Sequence, residues 1–193
     1  RNLVDNHFIN ATKNLVRLNN AAKRLTALIN EVSLVSKEQS GRLKFTPEEY
    51  NSNVLFDSII EQIDYLFQPF VQVEVSKGVS RTVLADRGLL VHIVDNVLNN
   101  AIKFSPNQGI IKFSMKLEPK RLKVVVKDSG IGIPQDEVRF LFDPYFRASN
   151  ISNISGSGLG LSIVKRCVDL HNGEILIKSN EGKGTTVTIS VPL

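Results

Sequence analysis

The chain has 193 residues, 42% of them hydrophobic, and carries a net charge of +5. That length suits one fair-sized domain, or one domain with a helical appendage, with a core large enough to fold without staples. A single cysteine, Cys167, excludes an internal disulfide and fits a reducing, cytosolic compartment. No apolar run reaches the roughly 18 residues that cross a bilayer, and no signal-peptide pattern opens the chain. The basic residues are scattered, without a dense Lys/Arg run interleaved with aromatics, which argues against nucleic acid; a basic balance also suits a phosphate-rich small ligand. The chain opens on Arg1 inside a pattern and is read as a fragment of a longer protein, whose other parts have room for a membrane anchor.

Leu15, Leu18, Ala22, Leu25, Ile29 and Val32 recur at steps of three and four, widened by Leu28 and Val35. This heptad-like stripe predicts a helix over residues 10–39, stopped at Gly41. The stripe suits an amphipathic helix packed on its own domain. It also suits one helix of a dimeric bundle, because it is long and lies outside the compact part of the chain. A second helix is expected over Val54–Phe67, with Leu55, Ile59, Ile63, Leu66 and Phe67 on one face. Val71, Val73 and Val75 alternate with polar residues and predict a strand. A third helix runs from about Arg87 to Phe104 and ends at Ser105-Pro106. Ile111, Phe113, Met115 and Leu117 alternate with polar neighbours, and the Glu118–Arg121 turn joins them to Leu122–Lys127 as an antiparallel hairpin.

A Gly-rich turn, Asp128–Pro134, follows, then a short helix and a polar loop, Ala148–Ser157. Leu159–Leu170 reads as a helix opened by glycines. Ile175–Lys178 and Thr185–Val191 close the chain as strands around Gly182-Lys183-Gly184. Hairpin-like links between most strands predict an α+β fold: a two-layer sandwich with helices on one face of a mixed, mostly antiparallel sheet.

Four segments carry chemistry. Asn96, Asn100 and Lys103 are spaced i, i+4, i+7, so they share one face of the third helix. An amide oxygen there can bind a hard cation, and the Lys can approach phosphate as a point charge. Asp128-Ser-Gly130-Ile-Gly132 ends a strand. Its carboxylate can accept from an exocyclic amine, and its glycines let backbone come close to a flat ring or adopt positive φ. Phe142-Asp-Pro-Tyr145-Phe146-Arg147 places a guanidinium beside the polar loop. Gly156-Ser157-Gly158-Leu159-Gly160-Leu161 opens a helix, where free N–H groups and the positive dipole end favour an anion. No Lys-Ser/Thr follows these glycines, so this is not a Walker loop, and no strand directly precedes them, so it is not a dinucleotide fingerprint. Alone, each segment has a bland explanation: a helix's polar edge, a tight turn, buried aromatics at a surface helix end.

In this order and spacing the four segments resemble the asparagine, first glycine, phenylalanine and second glycine boxes of the ATPase superfamily of gyrases, heat-shock chaperones, mismatch-repair proteins and histidine kinases. Gly182-Lys-Gly184-Thr185 resembles its last glycine element, and the phenylalanine box is similar to the histidine-kinase branch. The resemblance covers about residues 45–193. Residues 1–44 resemble part of a dimerisation domain, its second helix and the link onward. It implies ATP and Mg²⁺ as ligands. Asn100 would coordinate the metal with Asn96 beside it, and Lys103 and Arg147 would contact phosphate. Asp128 would hold the adenine amine, with Gly132 against the ring and Thr185 supporting through water. Gly130, Tyr145, Ser157, Leu159 and Leu161 would complete the nucleotide site, and Gly156, Gly158 and Gly160 would let the Ser/Asn-rich loop close as a lid.

Hydrolysing members carry Glu where this chain has Asn96, and an amide cannot serve as general base. The resemblance therefore implies phosphotransfer to a histidine, in a cytoplasmic protein that forms homodimers and signals to a response regulator. Yet His7, His92 and His171 do not match an acceptor motif, so the acceptor helix is expected upstream of Arg1. An anti-sigma-type serine kinase shares the pocket but usually lacks the long preceding helix. A non-catalytic nucleotide-binding or dimerisation module is opposed by the intact Asn100, Asp128 and glycines.

Overall fold

The structure, a computed structural model, describes residues 42–67, 71–105, 109–151, 154 and 156–193, with helical positions Ile29, Ser33 and Ser36 and the turn residue Ser40. Apart from these four, the expected helix over residues 10–39 and its terminator Gly41 lie outside the described residues. The chain divides into two units, Arg1–Lys44 and Phe45–Leu193.

Within the second unit, a five-stranded sheet has the order β2-β4-β5-β7-β6, formed by Val71–Ser76, Ile111–Glu118, Arg121–Lys127, Gly184–Pro192 and Glu174–Asn180 respectively. Only the β2–β4 pair is parallel. The β4–β5 hairpin closes on the pair Glu118↔Arg121, as the alternation on either side of that turn predicts. Its inward residues Ile111, Phe113, Met115, Leu122, Val124 and Val126 are all nearly inaccessible. Against this face lie helices α1 (Ser52–Phe67), α2 (Arg87–Phe104) and α3 (Gly160–Leu170). They contribute Leu55, Phe56, Ile59 and Ile63; Leu90, Ile93, Val94, Val97 and Leu98; and Ile163, Val164, Cys167 and Val168. Each such aliphatic side chain removed from water stabilises the fold by about 1.5–3 kcal/mol. The result is the two-layer α+β sandwich expected from the pattern.

The structure differs from the pattern in three places. Residues 48–51 and 82–85 form a small antiparallel sheet, β1 with β3, outside the main one. Each strand is four residues long, too short to show a period. The short helix expected after Pro134 is one 3-10 turn, Val138–Phe140. Val73 is exposed rather than half-buried, because β2 is an edge strand.

Asp86 starts α2. One carboxylate oxygen accepts from Leu89 N at 3.0 Å, and the other accepts from Thr46 N and Oγ1 at 3.0 and 3.1 Å. The cap satisfies an orphan amide of the first turn, typically contributing about 1 kcal/mol, and anchors the beginning of the unit to the site-bearing helix. At the other end Ser105 is extended, as a residue before proline must be. His171 completes the anchor. Its Nε2 accepts from Asp86 N at 3.2 Å, its Nδ1 donates to the Cys167 carbonyl at 2.8 Å, and its ring meets Phe45 edge-on.

Asp95 lies at the α1–α2 contact. Gln62 Nε2 donates to its Oδ2 at 2.9 Å, while Oδ1 is buried without a hydrogen-bond partner. Burial pushes this carboxyl up from 3.8 to about 6, and the Gln62 bond offsets only part of that. Because the folded-state value is raised, the group's contribution to stability is complete below about pH 4 and fades as pH rises through about 6. Replacing Asp95 with Asn should remove that loss. Between pH 4 and 7 the variant should gain up to about 3 kcal/mol on the parent in urea melts, whereas parallel pH profiles would contradict the assignment.

Candidate functional site

The site is built where backbone approaches backbone too closely for a side chain. Gly130 follows β5, and a Cβ there would strike the Phe104 carbonyl at the end of α2. The next amide, Ile131 N, donates to that same carbonyl at 3.1 Å. Gly132, at φ 64°, leaves no room for a Cβ against the Asn180 carbonyl, and Gly184, at φ 90°, none against Asp128 O. A left-handed φ and a blocked Cβ each favour glycine, and here they coincide. Between these contacts the first glycine segment is wedged between the end of α2 and the β6–β7 turn.

Asp128 fastens the wedge. Its Oδ1 accepts from Gly130 N at 2.8 Å and Thr185 N at 3.0 Å, and its own amide donates to Thr185 O at 2.9 Å. Oδ2 takes no part in these bonds. Burial pushes the carboxyl up, and the two backbone N–H groups pull it back toward ionisation.

Asn96, Asn100 and Lys103 stand on successive turns of α2, the first two half-buried and the last exposed. Asn96 Nδ2 donates to His92 Nε2 at 2.9 Å and to the His92 carbonyl at 3.3 Å. Burial lowers the His92 pKa, in keeping with a ring nitrogen that accepts. The Lys103 ammonium lies 4.9 Å from the Phe104 ring centroid and occupies the space a Cβ at Gly156 would need, which joins the second glycine segment to the end of α2.

Gly158, at φ 75°, faces the Tyr145 and Phe146 backbone, and Tyr145 N donates to its carbonyl at 3.0 Å. Tyr145 is itself at φ 66° and well exposed. Ser157 Oγ accepts from Leu159 N at 3.2 Å, Leu159 is buried, and Gly160 begins α3 with Leu161 half-buried beside it. The exposed Arg147 guanidinium donates to the carbonyls of Ile151 and Ile154, so it braces the polar loop from its surface. The four segments are thus linked in a chain of contacts, first glycine segment to the end of α2, α2 to the second glycine segment, and that to the aromatic segment, and the Gly182–Thr185 element joins them through Asp128.

Three groups at the site were not legible as such in the sequence. Ser179 is buried and bonds both Gly184 O and Thr185 Oγ1. Its signal is register, since it faces Thr185 across the three-residue turn. Asn150 Nδ2 donates to Gly132 O at 3.0 Å, and Glu137 accepts from Ser149 N at 2.9 Å. The first ties the polar loop to the first glycine segment and the second ties it to the turn that follows, through contacts no local pattern reveals.

Comparison with known proteins follows the same lines. A family model described as "Histidine kinase-, DNA gyrase B-, and HSP90-like ATPase" matches residues 85–193. The sensor histidine kinase WalK of Bacillus subtilis (strain 168) is 32% identical over 187 residues, covering 94% of this chain and 31% of WalK. The sensor histidine kinase RcsC of Escherichia coli (strain K12) is 30% identical over 187 residues, covering 91% of this chain and 19% of RcsC. The chain thus spans about a third or less of the curated relatives it matches. Among solved structures, a mycobacterial sensor histidine kinase, MprB, superposes with a TM-score of 0.62 at 30% identity, covering 75% of this chain and 97% of that one.

The wedge separates two reasons for glycine. Gly132→Ala meets both strain and a blocked Cβ, and should cost more than about 2 kcal/mol in denaturant melts. Gly182 has φ 73° but open space around its Cβ, so Gly182→Ala should cost only about 1 kcal/mol. Equal losses would contradict the packing argument.

Proposed function

The chain belongs to the histidine kinase-, DNA gyrase B- and HSP90-like ATPase family, and from that premise we propose that it is the ATP-binding catalytic part of a two-component sensor histidine kinase. The observation that carries the reading is that Asp128 and both glycine segments are joined to the end of α2, the helix that carries Asn96, Asn100 and Lys103. Asp128 accepts from the adenine amine through Oδ2, its other oxygen being held by Gly130 and Thr185. Gly132 keeps the wall low beside the ring, with Thr185 behind it. The polar loop closes over the phosphates as a lid hinged at Gly156, Gly158 and Gly160. Leu159 and Leu161 seat the start of α3, and Ser157 and Tyr145 line the hinge.

The donor set on α2 fits a hard cation held mainly by phosphate and water: Asn100 offers one amide oxygen, with Asn96 beside it. Mg²⁺ bound there would neutralise charge on the phosphates. Lys103 adds a point charge, and Arg147 contacts phosphate once its loop carbonyls release it. Within this site the chain's own work is positioning and charge neutralisation. Asn96 is an amide engaged with His92, so no group at that position can deprotonate water, and uncoupled hydrolysis is slow. Transfer needs no such base: the acceptor imidazole nitrogen attacks the γ-phosphorus, the bond to the bridging oxygen breaks, and ADP leaves.

Neither described histidine is suited to that attack. His171 is 4% exposed with both ring nitrogens engaged, and His92 is bonded to Asn96; His7 lies outside the described residues. The acceptor therefore belongs to another segment. We assign Arg1–Lys44 to part of a homodimeric helical hairpin, in keeping with the apolar stripe, on which Ile29 is exposed, and Phe45–Leu193 to the catalytic domain. A response regulator takes the phosphoryl group onward. Among the described residues no helix is long and apolar enough to cross a membrane. The site works in the cytoplasm, whatever anchors the parent protein.

Incubated with radiolabelled ATP, Mg²⁺ and a separate dimerisation domain bearing an acceptor histidine, the chain should place acid-labile phosphate on that domain and none on itself. Asp128→Asn should weaken nucleotide binding about tenfold or more, since a hydrogen bond to a charged group is worth about 1.5–3 kcal/mol. Nucleotide binding without transfer would overturn the kinase assignment, and acid-stable phosphoserine on a partner would redirect it.

A further inference from the structure

Helices cover one face of the five-stranded sheet, and the alternate residues of each strand point to the other face. On that open face Lys112 of β4 stands directly opposite Lys127 of β5, and Lys116 directly opposite Lys123. All four are exposed. Side chains paired in this way have Cβ atoms about 5 Å apart, and like charges so placed destabilise a sheet. Lysine on an edge strand guards against edge-to-edge aggregation, but β4 and β5 are paired on both sides. Solubility is served by charges of both signs interspersed, which is not the pattern here.

The lysines form rows across the sheet. Lys178 of β6 and Lys127 of β5 both flank Thr186 of β7, so Lys178, Lys127 and Lys112 share one row. The carboxylates of this face sit at its margins. Glu74 is on the edge strand β2, Glu118 is opposite Arg121 at the hairpin turn, and Glu174 is on the edge strand β6. Among the described residues, none of the five lysines is in an ion pair. Between the lysine rows lie Val125, half-buried, and Leu176, 54% exposed.

The residue types narrow the partner. Specific protein interfaces are enriched in arginine and aromatics and depleted in lysine. This face has no aromatic side chain, and its one arginine, Arg121, is engaged with Glu174 at 3.8 Å and Ser190 at 3.3 Å. Without an aromatic, it also offers no platform on which a nucleic-acid base could stack. A surface of many mobile anionic groups needs neither device, because it responds to summed point charge, and the apolar Leu176 suits the headgroup level. We infer that the open face of the sheet docks on an anionic lipid bilayer, held by Lys112, Lys116, Lys123, Lys127 and Lys178. Helix α2, with Asn96 and Asn100, lies on the opposite side of the sheet, so a chain resting on lipid keeps those residues clear of it.

The test is co-sedimentation of the chain with vesicles of phosphatidylcholine alone and of phosphatidylcholine mixed with phosphatidylglycerol. The chain should pellet with the mixed vesicles only, and should be released in about 1 M salt, where the screening length falls to about 3 Å. The double variant Lys112→Gln/Lys127→Gln should bind the mixed vesicles about 25-fold more weakly, at about fivefold per lysine. Lys77→Gln/Lys165→Gln removes the same charge from the helix side, where the two lysines pair with Asp57 and Asp169. It should change binding by no more than about twofold. Urea melts check that both variants fold, and separating the facing lysines should not lower the midpoint. Equal weakening in the two variants would show that net charge alone is at work. Unchanged binding in Lys112→Gln/Lys127→Gln would place the contact elsewhere, as on the basic residues of the 10–39 stripe. A chain that binds soluble polyglutamate but neither vesicle would point to an acidic protein instead. Each of these results, or no binding to the mixed vesicles, overturns the inference and leaves the nucleotide reading untouched.

Discussion

Everything in the site depends on one carboxylate oxygen. Asp128 Oδ1 takes two backbone N–H groups, one from the turn that follows it and one from β7, the next strand over. That pair of bonds holds a strand end, a glycine turn and a second strand in one register, and it leaves the other oxygen uncommitted. The cost is a buried carboxylate that would otherwise be pushed toward neutrality. The N–H donors offset that cost, so a charged acceptor can be kept largely shielded from water.

The glycines are the steric counterpart of the same constraint. At Gly130, Gly132 and Gly184 the closest neighbour of an added Cβ is a carbonyl oxygen of another segment. The Gly-rich turn is in these places a close-packed joint. The joint holds the end of β5 against α2 and the β6–β7 turn, while Gly156 and Gly158 join the end of α2 and the aromatic segment to the beginning of α3.

Legibility from sequence tracked the length scale of the interaction. Helix α2 and the β4–β5 hairpin were readable because their apolar residues repeat over several periods, and the asparagine spacing follows from the helical turn. The two four-residue strands β1 and β3 were not, since neither is long enough to set a period. Arg147 illustrates a second limit. Its type and position suggest an anion, but the guanidinium braces loop carbonyls, a partner choice set by tertiary geometry. Ser179 and Asn150 illustrate a third. Ser179 meets its partners across a hairpin turn and Asn150 meets Gly132 across eighteen residues, and only sheet register or loop packing brings each pair together.

The most direct test of the account is an amide-resolved NMR titration of the chain with ADP, which carries the base but not the transferable phosphate. The account predicts saturable shifts centred on the Gly130 and Thr185 amides, the two donors to Asp128, with smaller changes along β4. Saturable ADP binding that leaves those two amides unmoved, or no binding at all, would contradict it.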